Sequence, residues 1–160
     1  MVQAAGSAPF YDLMHAADRS RLHAVDKPET LATAIRIGDP VSWPKALREL
    51  DASDGVTEKV TEQEIADAKA VIGRCGIGCE PASAATLAGI RKLTSAGVMR
   101  HDSDVVAVLT GNVLKDPGYI HHYHTGVLSN PMGGVIAPNY GNPPVVLPND
   151  AERIADFLGS

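Results

Sequence analysis

The sequence predicts an α/β layered fold, and three observations carry that reading. Val105 to Leu109 is a short apolar run rich in β-branched residues, which reads as a strand buried on both faces. Thr61 to Glu64 reads as a capping box, and Ile65, Ala68, Val71, Ile72 and Cys75 behind it fall on one helical face. The order of elements is then helix, strand, helix, helix, strand, which suits layers of helix on sheet.

Taken from the start, Val2 to Ala5 looks like the tail of a strand, and Gly6 to Pro9 turns it into a short helix-like segment, Phe10 to Ala17. A strand remnant with no preceding element to pair it leads to the expectation that the chain is part of something longer. Lys27-Pro28 breaks the pattern. Glu29 to Gly38 is apolar but follows a period of neither 2 nor 3.6. Asp39-Pro40 ends it, Ser42 can cap a helix with Pro44 in its first turn, and that helix runs to about Leu50.

Gly55 to Val60 alternates enough for a short strand, and Gly76 stops the capped helix that follows. Cys79-Glu80-Pro81 starts the next helix. Ala84, Leu87, Ala88 and Ile90 form its inward stripe, up to a stop at Gly97. Its Ala- and Ser-rich first turns let a neighbouring backbone or a ligand come close. The Val105–Leu109 run ends abruptly in Thr110-Gly111-Asn112, placing a hydroxyl, a flexible backbone and an amide where open α/β sheets bind ligands.

Residues 117 to 149 contain no Asp, Glu, Lys or Arg, and 11 of these 33 positions are Pro or Gly. This reads as a loop or extended wrap, with Val145 to Leu147 available as an edge strand. Asn149 or Asp150 can cap a closing helix through Leu158. The chain therefore divides into a main part, 1–116, an uncharged Pro/Gly-rich tail, 117–149, and a terminal helix, 150–160.

Composition sets the bounds. A length of 160 residues, 44% of them apolar and 21% charged, suffices for one domain with a real core. Only 4% are aromatic, so Val, Ile, Leu and Ala must fill that core. A net charge of −5 argues against nucleic acid or an anionic membrane as main partner. Apolar runs are too short to span a bilayer. Cys75 and Cys79, the two cysteines, fit a reducing cytoplasm.

Several constellations are set aside. His121, His122 and His124 could hold a metal only with convergent geometry, and no metal site is assigned. Cys75 and Cys79 lack the spacing of redox or zinc pairs and read as two buried thiols. The glycines of Met132 to Gly134 and Asn139 to Asn142 do not sit between a strand and a helix, so they read as turns. Arg36, in an apolar block, is either a paired buried charge or an anion contact.

Four segments, in order, resemble one family. Thr30 to Trp43 looks like a hallmark block of threonine synthases. Cys79-Glu-Pro-Ala-Ser-Ala-Ala85 resembles a motif shared with related pyridoxal-phosphate (PLP) lyases. Leu109 to Pro117 is similar to the family's Thr-Gly-His-Gly-Leu-Lys-Asp-Pro stretch, with Asn112 and Val113 standing where His-Gly is commoner. Val2 to Tyr11 looks like the segment preceding the first block. The resemblance implies the C-terminal part of a fold-type II PLP enzyme, a three-layer α/β/α sheet of the tryptophan synthase β-like kind. It implies cytoplasmic conversion of O-phospho-L-homoserine and water to L-threonine and phosphate. It further implies that Thr110 offers its hydroxyl to the pyridine nitrogen, that Ala34 and Ile35 pack where backbone meets cofactor, and that Glu80, Pro81 and Ser83 border the pocket.

The family's Schiff-base lysine and Gly/Asn-rich phosphate loop lie upstream of the matching blocks. None of the six lysines (27, 45, 59, 69, 92, 115) sits in such a motif, so the isolated chain is expected to be inactive and to associate with itself or with an N-terminal part. A threonine/serine dehydratase-like lyase and a non-catalytic binding module are the rival readings. The Thr30–Trp43 block and Lys115-Asp-Pro117 speak against the first of them.

Overall fold

The computed structural model describes residues 1–159. Its elements are β1 (Val2–Ala4), α1 (Pro9–Met14), α2 (Trp43–Ala52), β2 (Glu58–Val60), α3 (Glu62–Arg74), α4 (Pro81–Ser95), α5 (Pro117–His124) and α6 (Ala151–Gly159), with 3-10 turns at Thr33–Ile35 and Val113–Lys115. β1 and β2 form a parallel pair in which Val2, Gln3 and Ala4 face Glu58, Lys59 and Val60. A parallel pair needs a long crossover, and here the crossover carries α1, the first 3-10 turn and α2.

α3 and α4 form the centre, packed against each other, with the sheet against α4. The core between them joins Val60, Ile65, Ile72 and Cys79 to six alanines, 4, 32, 68, 84, 85 and 88. Small side chains let the two helix backbones approach closely, which makes up for the scarcity of aromatics. At Gly89 any Cβ would run into the Val2 side chain, so that glycine lets β1 lie flat on α4.

The ends of these helices follow from their sequences. Thr61 Oγ1 accepts from the Glu64 amide at 3.2 Å, and the Glu64 carboxylate accepts from the Thr61 amide at 2.7 Å, closing the capping box. Gly76 and Gly97, just beyond α3 and α4, adopt φ of +77° and +72°, the left-handed turn that glycine makes at least cost. α1 and α2 build a side cluster of Phe10, Leu13 and Leu22, with Trp43, Leu47 and Leu50 packed on it. Asp150 Oδ1 accepts from the Glu152 and Arg153 amides at 3.0 and 3.1 Å and so caps α6.

Four features differ from the sequence expectation. Val105–Leu109 is not a buried strand here. Val106 and Val108 are 90% and 64% exposed, and the backbone of 105–109 makes no hydrogen bond with the described residues. A fully buried strand needs a ladder on each side, and among the described residues the sheet holds two strands, β1 and β2. Residues 117–149 are not uniformly extended, because 117–124 coil into α5, while Val145–Leu147 forms no strand. Of the two cysteines, Cys79 is buried and Cys75 exposed. Cys75 is the C-cap residue of α3, past the turn that faces the core. Arg36 is exposed and makes no ion pair among the described residues, so it is not a paired buried charge.

The 117–149 segment is nevertheless tied down. Tyr119, Tyr123, Leu128 and Ile136 close over Ala66 and Ala70 on the outer face of α3. Gln63 exchanges two hydrogen bonds of 2.8 Å with the backbone of Ala137. The Asp67 carboxylate accepts from Tyr123 Oη at 2.6 Å and from Asn139 Nδ2 at 2.8 Å. An uncharged segment is thus anchored by polar groups four residues apart on one helix.

Candidate functional site

The loop Thr110–Asn112 is docked on the N-terminus of α4. The Glu80 amide donates to the Gly111 carbonyl at 3.0 Å, the Gly111 amide donates to Ser83 Oγ at 3.0 Å, and Cys79 and Asn112 form an antiparallel bridge. Ser83 Oγ lies 3.4 Å from Thr110 Oγ1. Ser83 is buried while Thr110 is exposed, so a fixed buried hydroxyl holds a solvent-facing one. Gly111 is required for this contact, because a Cβ there would fall on the Glu80 side chain.

Glu80 is the N-cap residue of α4, yet its side chain caps nothing. It is 2% exposed and pairs with Lys115 Nζ at 3.0 Å. Its Oε2 has no directed hydrogen bond, so the contact is chiefly charge on charge, placed where the helix N-terminus also favours an anion. Asn112 helps to place that lysine: its Oδ1 accepts from the Leu114 amide at 3.0 Å and caps the turn that carries Lys115.

Ala34 and Ile35 lie on the first 3-10 turn, which packs against α4. The turn is prepared by Thr30, whose buried hydroxyl accepts from the Ala32 amide at 3.0 Å, and by Glu62, which accepts from the Leu31 amide at 3.1 Å. Ile35 is half-buried against the central core and Ala34 is exposed. Thr110, Glu80 and Ser83 are therefore one hydrogen-bonded unit. Ala34 and Ile35 approach the same helix without a hydrogen bond to that unit.

Behind Cys79, burial pulls the Lys69 ammonium below the usual lysine range, and its Nζ donates to the Cys79 carbonyl at 2.8 Å. Burial likewise pushes the Cys79 thiol up, so that sulfur is a neutral packing group. Lys59 pairs with Asp12, and Lys92 with Glu58. The three imidazoles of α5 do not converge: His124 Nδ1 accepts from the Asn142 amide at 2.9 Å, and the His121 and His122 rings meet edge to face. Among the described residues no group of three His, Cys, Asp or Glu could hold a metal ion, and no helix is long and apolar enough to cross a membrane.

Sequence reasoning did not find the Glu80–Lys115 pair or the Gln63–Asp67 anchor. Glu80 and Lys115 are 35 positions apart with no local signal. Gln63 and Asp67 sit one helical turn apart on an outer face, where a spacing of four with an amide and a carboxylate offered a clue.

Thr110 is thus an exposed residue held at the start of a small-residue helix, and the Thr33–Ile35 turn packs against that same helix. The chain belongs to the pyridoxal-phosphate dependent enzyme family, whose sequence model matches residues 1–111. It is 46% identical over 117 residues to the threonine synthase of Methanosarcina acetivorans, covering 72% of this chain and 29% of that protein. To the threonine synthase of Halalkalibacterium halodurans it is 40% identical over 139 residues, 86% of this chain and 35% of that protein. The chain spans about a third of the length of these relatives.

Proposed function

We propose that this chain forms the pyridine-side wall of the PLP site of an enzyme that converts O-phospho-L-homoserine and water to L-threonine and phosphate. The observation that carries the proposal is the Thr110 hydroxyl, exposed and fixed by Ser83 on the N-terminus of α4. The residues present fit the cofactor. A neutral hydroxyl suits a pyridine nitrogen that carries no proton, whereas a carboxylate would hold it protonated. Exposed Ala34 leaves room for the ring.

Each residue then has a task. Thr110 orients the ring through its nitrogen. Ser83 and the Gly111 amide keep Thr110 in place. Glu80, paired with Lys115, fills the space over Gly111 and keeps water from the loop's inner side. Ala34 and Ile35 form the flank of the ring site. When bound, the cofactor supplies the electron sink that lets an amino-acid substrate lose phosphate and accept water. The six lysines are either engaged in the contacts described or, as with Lys27 and Lys45, exposed on the surface. We assign the Schiff-base lysine and the phosphate loop to a part of the enzyme that this chain does not contain.

The same reading extends to the larger sheet. Val105–Leu109, without regular structure or a pairing partner among the described residues, becomes a strand of a three-layer α/β/α sheet when the rest of the enzyme offers a neighbour. Association with that part, or with a second copy, takes place in the cytoplasm.

A segment exchange tests this. Residues 1–117 would replace the matching segment of the Methanosarcina acetivorans relative, and phosphate and threonine release from O-phospho-L-homoserine would be measured. The chimera is expected to make both products, and Thr110→Val in it to lower kcat by about tenfold or more with an altered cofactor absorption, a loss of roughly 1.4 kcal/mol in the barrier. A folded, cofactor-loaded chimera that instead deaminates threonine to a 2-oxo acid would move the assignment to the dehydratases. A Thr110→Val chimera with unchanged kcat and spectrum would remove Thr110 from the site.

A further inference from the structure

A cavity of 240 Å³ opens between α3 and α5. Its walls are mostly apolar, with Ala66, Ala70, Ile77 and Ile120 among them; Lys69, Arg74 and His124 are its basic groups, and Tyr119 and Tyr123 also line it. Lys69 is 7% exposed. Its Nζ uses one donor on the Cys79 carbonyl and makes no ion pair among the described residues. The charge of Asp116 reaches it only from beyond ion-pair distance.

A buried cation normally has a carboxylate against it, because stripping water from an unpaired charge costs several kcal/mol. Here no carboxylate stands within ion-pair distance, Asp116 acting only from farther off, and Lys69 lines the open space. We propose that this cavity binds a small monocarboxylate with an apolar body, its carboxylate seated on Lys69 Nζ and its hydrocarbon against Ala66, Ala70 and Ile120.

The chemistry of the cavity sets the ligand class. Burial pulls His124 below the usual imidazole range, so it is neutral at physiological pH and Lys69 is the inner cation. A monoanion fits one buried ammonium, whereas a phosphate dianion would need a second cation at the same depth, and Arg74 lies at the exposed rim. A volume of 240 Å³ lies below the roughly 300–1,000 Å³ of drug-sized sites, which leaves out nucleotides. Arg74 at the exposed end of α3 favours entry of an anion. The site also touches the proposed PLP wall: a ligand that draws Lys69 Nζ from the Cys79 carbonyl loosens the residue next to Glu80, whose amide holds Gly111.

The test is a nuclear magnetic resonance titration of the ¹⁵N-labelled 160-residue chain with 3-methylbutyrate and, separately, with its neutral amide. Saturable shifts are expected at Gly73, Ile77, Gly78 and Ile120, with the carboxylate binding at least about tenfold more tightly than the amide. Lys69→Met is expected to erase that preference. Gly73→Leu, at a lining position where a Cβ meets no atom within 4 Å, is expected to abolish binding of both by filling the space. Equal affinity for acid and amide in the unaltered chain would overturn the proposal whatever the variants do. So would shifts outside the cavity, or none up to about 100 mM ligand. Failure of the segment exchange leaves these outcomes unaffected, because none depends on turnover.

Discussion

Two buried tyrosines on α5 show how the worth of a polar group depends on its partner. Tyr123 Oη donates to Asp67 at 2.6 Å and accepts from the Tyr140 amide at 3.1 Å. Tyr119 Oη is buried with no hydrogen-bond partner among the described residues. Tyr123→Phe is therefore expected to cost about 1–3 kcal/mol, because it leaves a carboxylate and an amide short of a partner. Tyr119→Phe is expected to be neutral or to stabilise by up to about 1 kcal/mol. Urea unfolding of both variants checks this, and a larger loss in Tyr119→Phe would mean that its hydroxyl has a partner after all. Gly111→Ala is expected to push Glu80 off the loop and to cost more than about 1 kcal/mol. Its effect should be visible as faster amide exchange at residues 110–112, with α3 unchanged.

At the scale of elements, α3 serves both sides of the fold. Its inner face packs on α4, and its outer face holds the later segment through Gln63 and Asp67. Asp67→Ala removes the acceptor of both Tyr123 and Asn139. It is expected to free residues 137–142 for proteolysis while α3 and α4 keep their helical signal. Cleavage no faster than in the unaltered chain would show that the Gln63–Ala137 pair suffices. The capping box is a local matter: Thr61→Ala is expected to cost about 1 kcal/mol without disturbing that anchor.

For the whole molecule, pH acts through burial. Desolvation pushes both Tyr119 and Tyr123 up, with neighbouring carboxylates adding to it. The unfolded chain loses these protons near about pH 10 and the folded chain keeps them. Stability is thus full below that range and falls as pH rises through it. Lys69, shifted down, acts in the opposite sense just below the usual lysine range. Urea titrations on either side of about pH 10 should show the net fall, shallower in Tyr119→Phe. Exposed Val106, Val108 and Val146, at 90%, 64% and 94%, give the surface an apolar character that favours self-association. Sedimentation is expected to show oligomers that Val106→Lys with Val108→Lys reduces. A clean monomer over a wide concentration range would remove that surface as the cause.

The sequence by itself determined the parts whose physics is local. The Thr61–Glu64 capping box, the glycine stops at Gly76 and Gly97, Pro81 at the start of α4 and the Asp150 cap all act within one or two turns, where neighbouring residues decide the backbone. The family, too, was legible, because four separated motifs kept their order along the chain. Contacts across long separations belonged to tertiary structure alone. Lys115 reaches Glu80, Ser83 holds Gly111, and Lys69 loses its water to a helix pair that no window of sequence contains. Val105–Leu109 marks the boundary between the two. Its β-branched run is strand-like by composition, but a strand is a pairing as well as a propensity. Its fate is decided by the neighbour that lies beside it.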